Sequence, residues 1–189
     1  MKRILALALM LGTGAVATQA PAAEAGFSDP ICTQATKPVR EYFDKTKNPA
    51  TTLDTAVELA QKVIDAYDLC ASENATNNSV DNLQYAHLSA AQYQYVLGGW
   101  QHLAGNEGLA RAALERSVKL AQDIIDWRPP SQIAYGSNDV NVGQGSVHNT
   151  NAGGVSKFHD DAVKVRDAAL KSISLLPKPG APAPAPSAT

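Results

Sequence analysis

The chain has 189 residues, which is about the length of one domain, so a multidomain enzyme is not expected. Hydrophobic residues make up 44% of the chain and charged residues 18%, a balance that is too apolar for a wholly disordered protein. The formal net charge of -2 excludes a strongly basic surface, so nucleic acid is not an expected partner.

The first 25 residues have the organisation of a bacterial-type secretory signal peptide. Lys2 and Arg3 precede an uncharged Leu/Ala-rich run, and Ala23-Glu24-Ala25 follows as a small-x-small cleavage site. The apolar run is shorter than the roughly 20 residues of a permanent span, and no comparable run follows it. We therefore expect cleavage to leave no stable membrane span, and we expect the mature protein in the periplasm or outside the cell.

Two cysteines, Cys32 and Cys70, lie beyond the leader. In an oxidising compartment two thiols most simply form one intramolecular disulfide, which is our prediction here. A catalytic or metal-binding thiol is the alternative, but the chain has no C-x-x-C motif and no histidine near either cysteine. Both methionines lie in the leader, so methionine-ligated copper or haem is excluded from the mature chain.

Residues 29–47 carry mixed helix signals. Asp29-Pro30 is typical of a helix start, whereas Pro38 is expected to break or kink the helix that follows. We therefore predict a short or bent helix in this segment.

Two longer helices are predicted next. Thr51 with Asp54 resembles a capping box, and the helix that it begins is expected to end in the Asn- and Ser-rich stretch 72–79. Ser79 is the predicted cap of the following helix, whose apolar residues recur in steps of three and four. These residues are Leu83, Ala86, Ala90, Tyr93, Leu97, Trp100 and Ala104.

Gly105-Asn106 then predicts a tight turn into a further helix that ends before Pro129, so these two helices should form an antiparallel hairpin. Two adjacent glycines, Gly98 and Gly99, each cost about 1 kcal/mol in a helix relative to alanine. Close backbone approach to the small residues Ala110 and Ala113 is the expected compensation.

The last part of the chain changes character twice. Residues 131–155 are rich in Gly and Asn and predict a long loop, with a small β-hairpin as an option at 140–147. Ser156 is the predicted cap of a final helix with Asp160 and Asp161 in its first turn. Pro177 ends that helix, and the Pro/Ala-rich tail 177–189 is expected to be disordered.

The expected organisation is therefore a signal peptide (1–25), an all-α domain (26–176) and a disordered tail (177–189). The domain is predicted to be a bundle of four or five helices, or a set of helical hairpins, with one long irregular loop.

Several small and apolar residues of the hairpin fall at the spacings of a known helical repeat: Leu97, Gly98, Gly105, Ala110, Leu114 and Ser117. On these residues the segment resembles one tetratricopeptide repeat, a helix pair that stacks into solenoids binding peptides or proteins. Gln94 and Gln101 stand where the family usually has an aromatic residue, and Gln122 where it has proline. The pattern does not recur about 34 residues away, so an ordinary hairpin in a bundle is the alternative.

The helix that begins at Val80 carries a second face, displaced by about 200° from the first. Two tyrosines and a leucine on this face favour a contact surface over a solvated one. The tetratricopeptide resemblance implies that such a face lines the concave binding surface; the alternative is that the first long helix or the last one covers it. The face consists of Tyr85, Leu88, Gln92, Tyr95, Gly99 and His102.

Metal and cofactor sites are not expected. Asp139, His148 and His159 could collect around one ion, but their spacing is generic, and acidic residues at a helix start are explained by the helix dipole. No zincin, P-loop, nucleophile-elbow or di-iron motif occurs in the mature chain.

These features predict a non-catalytic binding protein with a protein or peptide partner on the second face. Two alternatives stay open: a helical bundle that binds a small ligand or ion through residues 131–161, and a hydrolase whose site is built from dispersed residues.

Overall fold

The computed structural model describes residues 27–77, 79–128 and 155–177, and these form five α-helices without a strand. The predicted all-α class is confirmed for this part of the chain. The leader, the option of a hairpin at 140–147 and all of the tail beyond Pro177 lie outside the described residues. The helices are α1 (Thr33–Thr46), α2 (Leu53–Thr76), α3 (Val80–Leu103), α4 (Glu107–Asp126) and α5 (His159–Leu175).

The start of α1 follows the Asp29-Pro30 signal, and of the two outcomes predicted at Pro38, a break or a kink, the break does not occur. Asp29 Oδ1 accepts the backbone N–H groups of Ile31 and Cys32 at 2.9 and 2.8 Å, which orders the turn that leads into α1, whose N-cap residue is Cys32. Pro38 lies inside α1, which continues to Thr46. Val39 and Tyr42 of this helix are buried, so tertiary packing holds the helix across the hydrogen bond that proline cannot make.

Three predicted caps differ in detail from the structure. Thr52 rather than Thr51 caps α2, because its side chain accepts the N–H of Thr55. Ser79 is the N-cap residue of α3 but makes no capping hydrogen bond through its side chain. Ser156 is not the cap of α5, which begins at His159; its hydroxyl donates instead to Gln84 Oε1 of α3.

Each helix packs along its neighbours in the chain, and α3 lies at the centre. It packs along α2 and α4, and it also contacts α5. Tyr42 joins it to α1, because the Trp100 indole N–H donates to the Tyr42 hydroxyl at 3.0 Å. An Arg116–Asp68 salt bridge joins α4 to α2. The described helices therefore pack in chain order, and α3 also contacts α5 and, through Trp100, α1.

The α3–α4 hairpin has the predicted antiparallel arrangement. Gly105 adopts a φ of 80° in the turn, a conformation that favours glycine. Along the hairpin the Ser117 hydroxyl donates to the Ala91 carbonyl, and Gly98 lies against Leu114. A Cβ atom at Gly98 would stand 3.2 Å from the Ala110 carbonyl oxygen, so the predicted close approach is confirmed at this glycine.

Cys32 and Cys70 form the predicted disulfide, with a Cα–Cα distance of 5.6 Å. Both cysteines are fully buried, and the bond joins the residue before α1 to the C-terminal half of α2. Among the described residues, no helix has the length and apolar character that a membrane crossing requires.

Candidate functional site

The last helix runs along much of the predicted binding face of α3. Leu88 is buried in a cluster with Ala162 and Val165 of α5. Tyr95 is half-buried against a second cluster that contains Ala169 and Leu176. At Leu88 and Tyr95 the alternative therefore applies, in which another helix of the same chain covers the face.

The other members of the face differ in their accessibility. The Tyr85 hydroxyl donates to the buried Asp29 carboxylate at 2.8 Å, so this end of the face is tied into the core. His102 is exposed, and its Nδ1 lies 3.0 Å from the Glu107 carboxylate across the hairpin turn. Gln92 and Gly99 are half-buried. The accessible part of the face is thus its middle and its C-terminal end.

A narrower strip on α3 remains between α1 and α5. At 100° per residue, it lies between Leu88, which packs with α5, and Trp100, which bonds to α1. All four of its residues are half-buried, although most of the rest of α3 is buried. We call it the α3 strip, and it consists of Gln92, Val96, Gly99 and Leu103.

The α3 strip offers hydrogen bonding and apolar contact. Gln92 offers an amide that both donates and accepts hydrogen bonds, as a peptide backbone requires. Val96 and Leu103 offer apolar contact, and Gly99 has no side chain to obstruct an approaching backbone. None of the four residues has a titratable side chain, so the strip itself supplies no acid, base or nucleophile.

A buried carboxylate lies beyond the N-terminal end of this strip. Asp29 is fully buried, and its Oδ2 accepts the hydroxyl protons of Tyr67 and Tyr85 at 2.9 and 2.8 Å. Its Oδ1 accepts the two backbone N–H groups described above, and its own backbone N–H donates to Thr36 at 2.9 Å. The carboxylate therefore accepts four hydrogen bonds, which offset the cost of burying it.

Aromatic rings surround this carboxylate, and burial perturbs their ionisation. Burial raises the pKa of Tyr85 to about 12, with the hydrogen bond to Asp29 acting in the same direction. Burial also raises the pKa of Tyr67 and of Tyr93, whose rings stack at 6.1 Å. These phenols stay protonated at neutral pH, and the group is best described as a structural core.

A second polar group lies where α3 meets α2 and α4. Burial lowers the pKa of His87, although the carboxylates of Asp123 and Asp68 act in the opposite direction. Asp68 also pairs with Arg116. His87 is half-buried, and its burial disfavours the charged form of the imidazole.

The predicted metal candidates are only partly described. His159 begins α5, and its Nδ1 lies 3.0 Å from the exposed Asp160 carboxylate. Asp139 and His148 lie outside the described residues, so their convergence with His159 stays a prediction. In the described part of the chain, no group of three or more His, Cys, Asp or Glu side chains is arranged to hold a metal ion.

A small depression beside Trp100 has a volume of about 20 Å³, enough for one water molecule. Hydroxyl and apolar side chains line it, including Thr46, Thr51 and Leu53. It is far below the roughly 300 Å³ of a typical ligand pocket.

Sequence reasoning missed Val96 and Leu103 as accessible residues and Asp29 as a buried one. The first two could have been found from the helical period, since they share the angular sector of Gln92. Asp29 carried no such signal, because its phenol partners lie 38 and 56 residues away.

Comparison of the chain with protein-family models, with curated proteins and with solved structures gives no match.

Proposed function

We propose that the protein is an exported, non-catalytic binding protein that recognises an extended segment of a protein partner along the α3 strip. The observation that carries the proposal is the accessibility of this strip on the most buried helix of the fold. α3 is packed by α2, α4 and α5, yet Gln92, Val96, Gly99 and Leu103 are only half-buried between α1 and α5.

The contacts of α3 with its neighbours support this proposal. In tetratricopeptide proteins the first helix of each pair lines the binding surface, and the hairpin from Leu97 to Ser117 resembles one such pair. α3 is the first helix of that hairpin, and it lies between α5, which it contacts, and α1, which Trp100 reaches through Tyr42. The strip is on the middle helix of the three, where a bound segment would contact both neighbours.

Export is supported by the signal-like leader and by the disulfide. A buried Cys32–Cys70 bond is typical of proteins that fold in an oxidising compartment. The buried Asp29 carboxylate and the uncharged α3 strip support binding over catalysis, since neither presents a reactive group to solvent.

The test compares matched surface variants in a capture experiment. Leu103→Asp places a charge on the half-buried strip, whereas Leu69→Asp places one on α2, where Leu69 is 51% exposed. Immobilised protein would be exposed to the exported-protein fraction of its own source, and captured chains would be identified by mass spectrometry. We expect Leu103→Asp to lose at least about tenfold of the bound partner, equivalent to about 1.4 kcal/mol, and Leu69→Asp to retain it.

Gln92→Ala provides a second and gentler variant, because it removes the amide without adding a charge. Circular dichroism would establish that each variant is folded. Equal capture by the wild type and by both strip variants would show that the partner binds elsewhere and would overturn the assignment of the strip.

A further inference from the structure

Two cross-links connect the segment before α1 to α2, and they run side by side. The Tyr67 hydroxyl donates to Asp29 Oδ2 at 2.9 Å, and Cys32 is bonded to Cys70. Each link spans 38 residues of chain. Because Asp29 and Cys32 are three residues apart, as are Tyr67 and Cys70, the hydrogen bond and the disulfide join the same two pieces of backbone in the same register.

Asp29 also fixes the cysteine itself. Its Oδ1 accepts the backbone N–H of Cys32 at 2.8 Å, so the carboxylate defines the position from which the Cys32 side chain leaves the backbone. Its Oδ2 holds Tyr67, which lies about one helical turn from Cys70 on α2. Tyr85 of α3 donates to the same oxygen at 2.8 Å and anchors the carboxylate from a third element.

We propose that the Asp29 carboxylate is a positioning group for the disulfide. In the reduced protein it holds the Cys32 and Cys70 thiols within bonding reach, so that the bond closes readily after export and resists later reduction. Closure transfers two electrons and two protons from the thiols to a disulfide oxidant. With glutathione disulfide as oxidant, the products are the protein disulfide and two molecules of reduced glutathione.

The physical basis is the entropy of loop closure. A free loop of 38 residues rarely brings its ends together, whereas a segment already docked through hydrogen bonds has lost that freedom before the thiols react. Coupling between the two links is reciprocal. If the hydrogen bonds of Asp29 favour formation of the disulfide, the disulfide stabilises those hydrogen bonds by the same free energy. Burial of Asp29 and of both cysteines keeps water from competing for these contacts.

The experiment measures the effective concentration of the two thiols in the folded protein. The full mature chain would be equilibrated in glutathione buffers of graded redox ratio, and the oxidised fraction read by thiol alkylation and mass spectrometry. We expect Asp29→Asn to lower the effective concentration by at least about tenfold, equivalent to about 1.4 kcal/mol. The substitution replaces the carboxylate, which accepts hydrogen bonds from two phenols, by an uncharged amide. Asp44→Asn removes an exposed carboxylate from α1 and should leave the value unchanged.

A second comparison separates positioning from a general loss of stability. Val165→Ala weakens the packing of α5 against α3 and α4, away from the disulfide, and lowers the stability of the whole domain. We expect it to leave the effective concentration within about twofold of the wild type, provided that circular dichroism shows the reduced protein folded.

If the reduced Asp29→Asn protein is unfolded, Tyr85→Phe tests the positioning role of Asp29 instead. It removes one of the two phenol donors and should lower the effective concentration by a smaller factor, about threefold to tenfold. A wild-type value in Tyr85→Phe, or in a folded Asp29→Asn protein, would overturn the proposal. An equal fall in Val165→Ala would do the same.

Discussion

Gly98 tests how closely α3 and α4 approach each other. A Cβ atom added there would stand 2.6 Å from Leu114 Cγ, 2.9 Å from Leu114 Cδ2 and 3.2 Å from the Ala110 carbonyl oxygen. Carbon atoms in good contact are about 3.5 to 4.0 Å apart, so Leu114 or the helix backbone must move. Leu114 is only 2% exposed, which leaves little room for its side chain to shift.

The expected effect of Gly98→Ala is the difference between two opposing contributions. Overpacking of a filled core costs about 1 to 3 kcal/mol, while replacing glycine by alanine inside a helix contributes about 1 kcal/mol of stability. Since the closest contact is about 1 Å inside the normal distance, we place the overpacking cost near the upper end of its range. The net expectation is a loss of about 1 to 2 kcal/mol in the free energy of unfolding.

Urea denaturation followed by circular dichroism measures this loss, and Gly108→Ala is the matched control. A Cβ atom at Gly108 of α4 meets nothing within 4 Å, so that substitution should leave stability unchanged or raise it by up to about 1 kcal/mol. Leu114→Ala should relieve the contact, so the double variant is expected to be more stable than the sum of the single effects predicts. A Gly98→Ala protein as stable as the wild type would refute the close-approach argument.

The structure also predicts how two further changes, a rise in pH and removal of the disulfide, affect the free energy of unfolding. In the unfolded chain tyrosine ionises near pH 10. Burial in the folded protein raises the pKa of Tyr85 to about 12 and also raises the pKa of Tyr67 and Tyr93. Above pH 10 the folded state therefore binds more protons than the unfolded state. The free energy of unfolding should therefore fall as the pH rises above about 10, with a shallower fall in Tyr85→Phe; a pH-independent stability between pH 10 and 12, measured by urea denaturation, would contradict this. Replacing Cys32 and Cys70 by serine opens a 38-residue loop and should cost about 4 kcal/mol in the chain-entropy model, read as a lower denaturation midpoint, and an unchanged midpoint would argue against the disulfide's stabilising role.

The helices could be predicted because their signal is local. Apolar residues at steps of three and four marked α3 and α4, and Gly105 marked the turn between them, at the place where its φ of 80° requires glycine. The errors concern positions where two local signals compete. Thr52 caps α2 where Thr51 was expected. At Pro38, where a break or a kink was predicted, α1 is not broken, because burial of Val39 and Tyr42 outweighs one missing hydrogen bond.

The candidate site was only partly predictable. Gln92, Gly99 and His102 were placed on an accessible face of α3 and remain at least partly accessible, whereas Leu88 is buried by α5. An apolar residue on a second helical face is equally consistent with contact to a partner protein and with contact to another helix of the same chain. The helical period specifies the face but contains no information on what covers it.

The amino-acid sequence by itself determined the all-α class, the antiparallel hairpin, the close approach at Gly98 and the pairing of two cysteines, since each follows from local pattern or from simple counting. Only the tertiary structure decided which side of α3 stays open and where the Asp29 charge resides. The carboxylate meets phenols 38 and 56 residues away, and an aspartate before a proline looks the same in the sequence whether it caps a solvated helix or lies in the core. Contacts between distant residues depend on how all the helices pack together, and no short stretch of the chain encodes that arrangement.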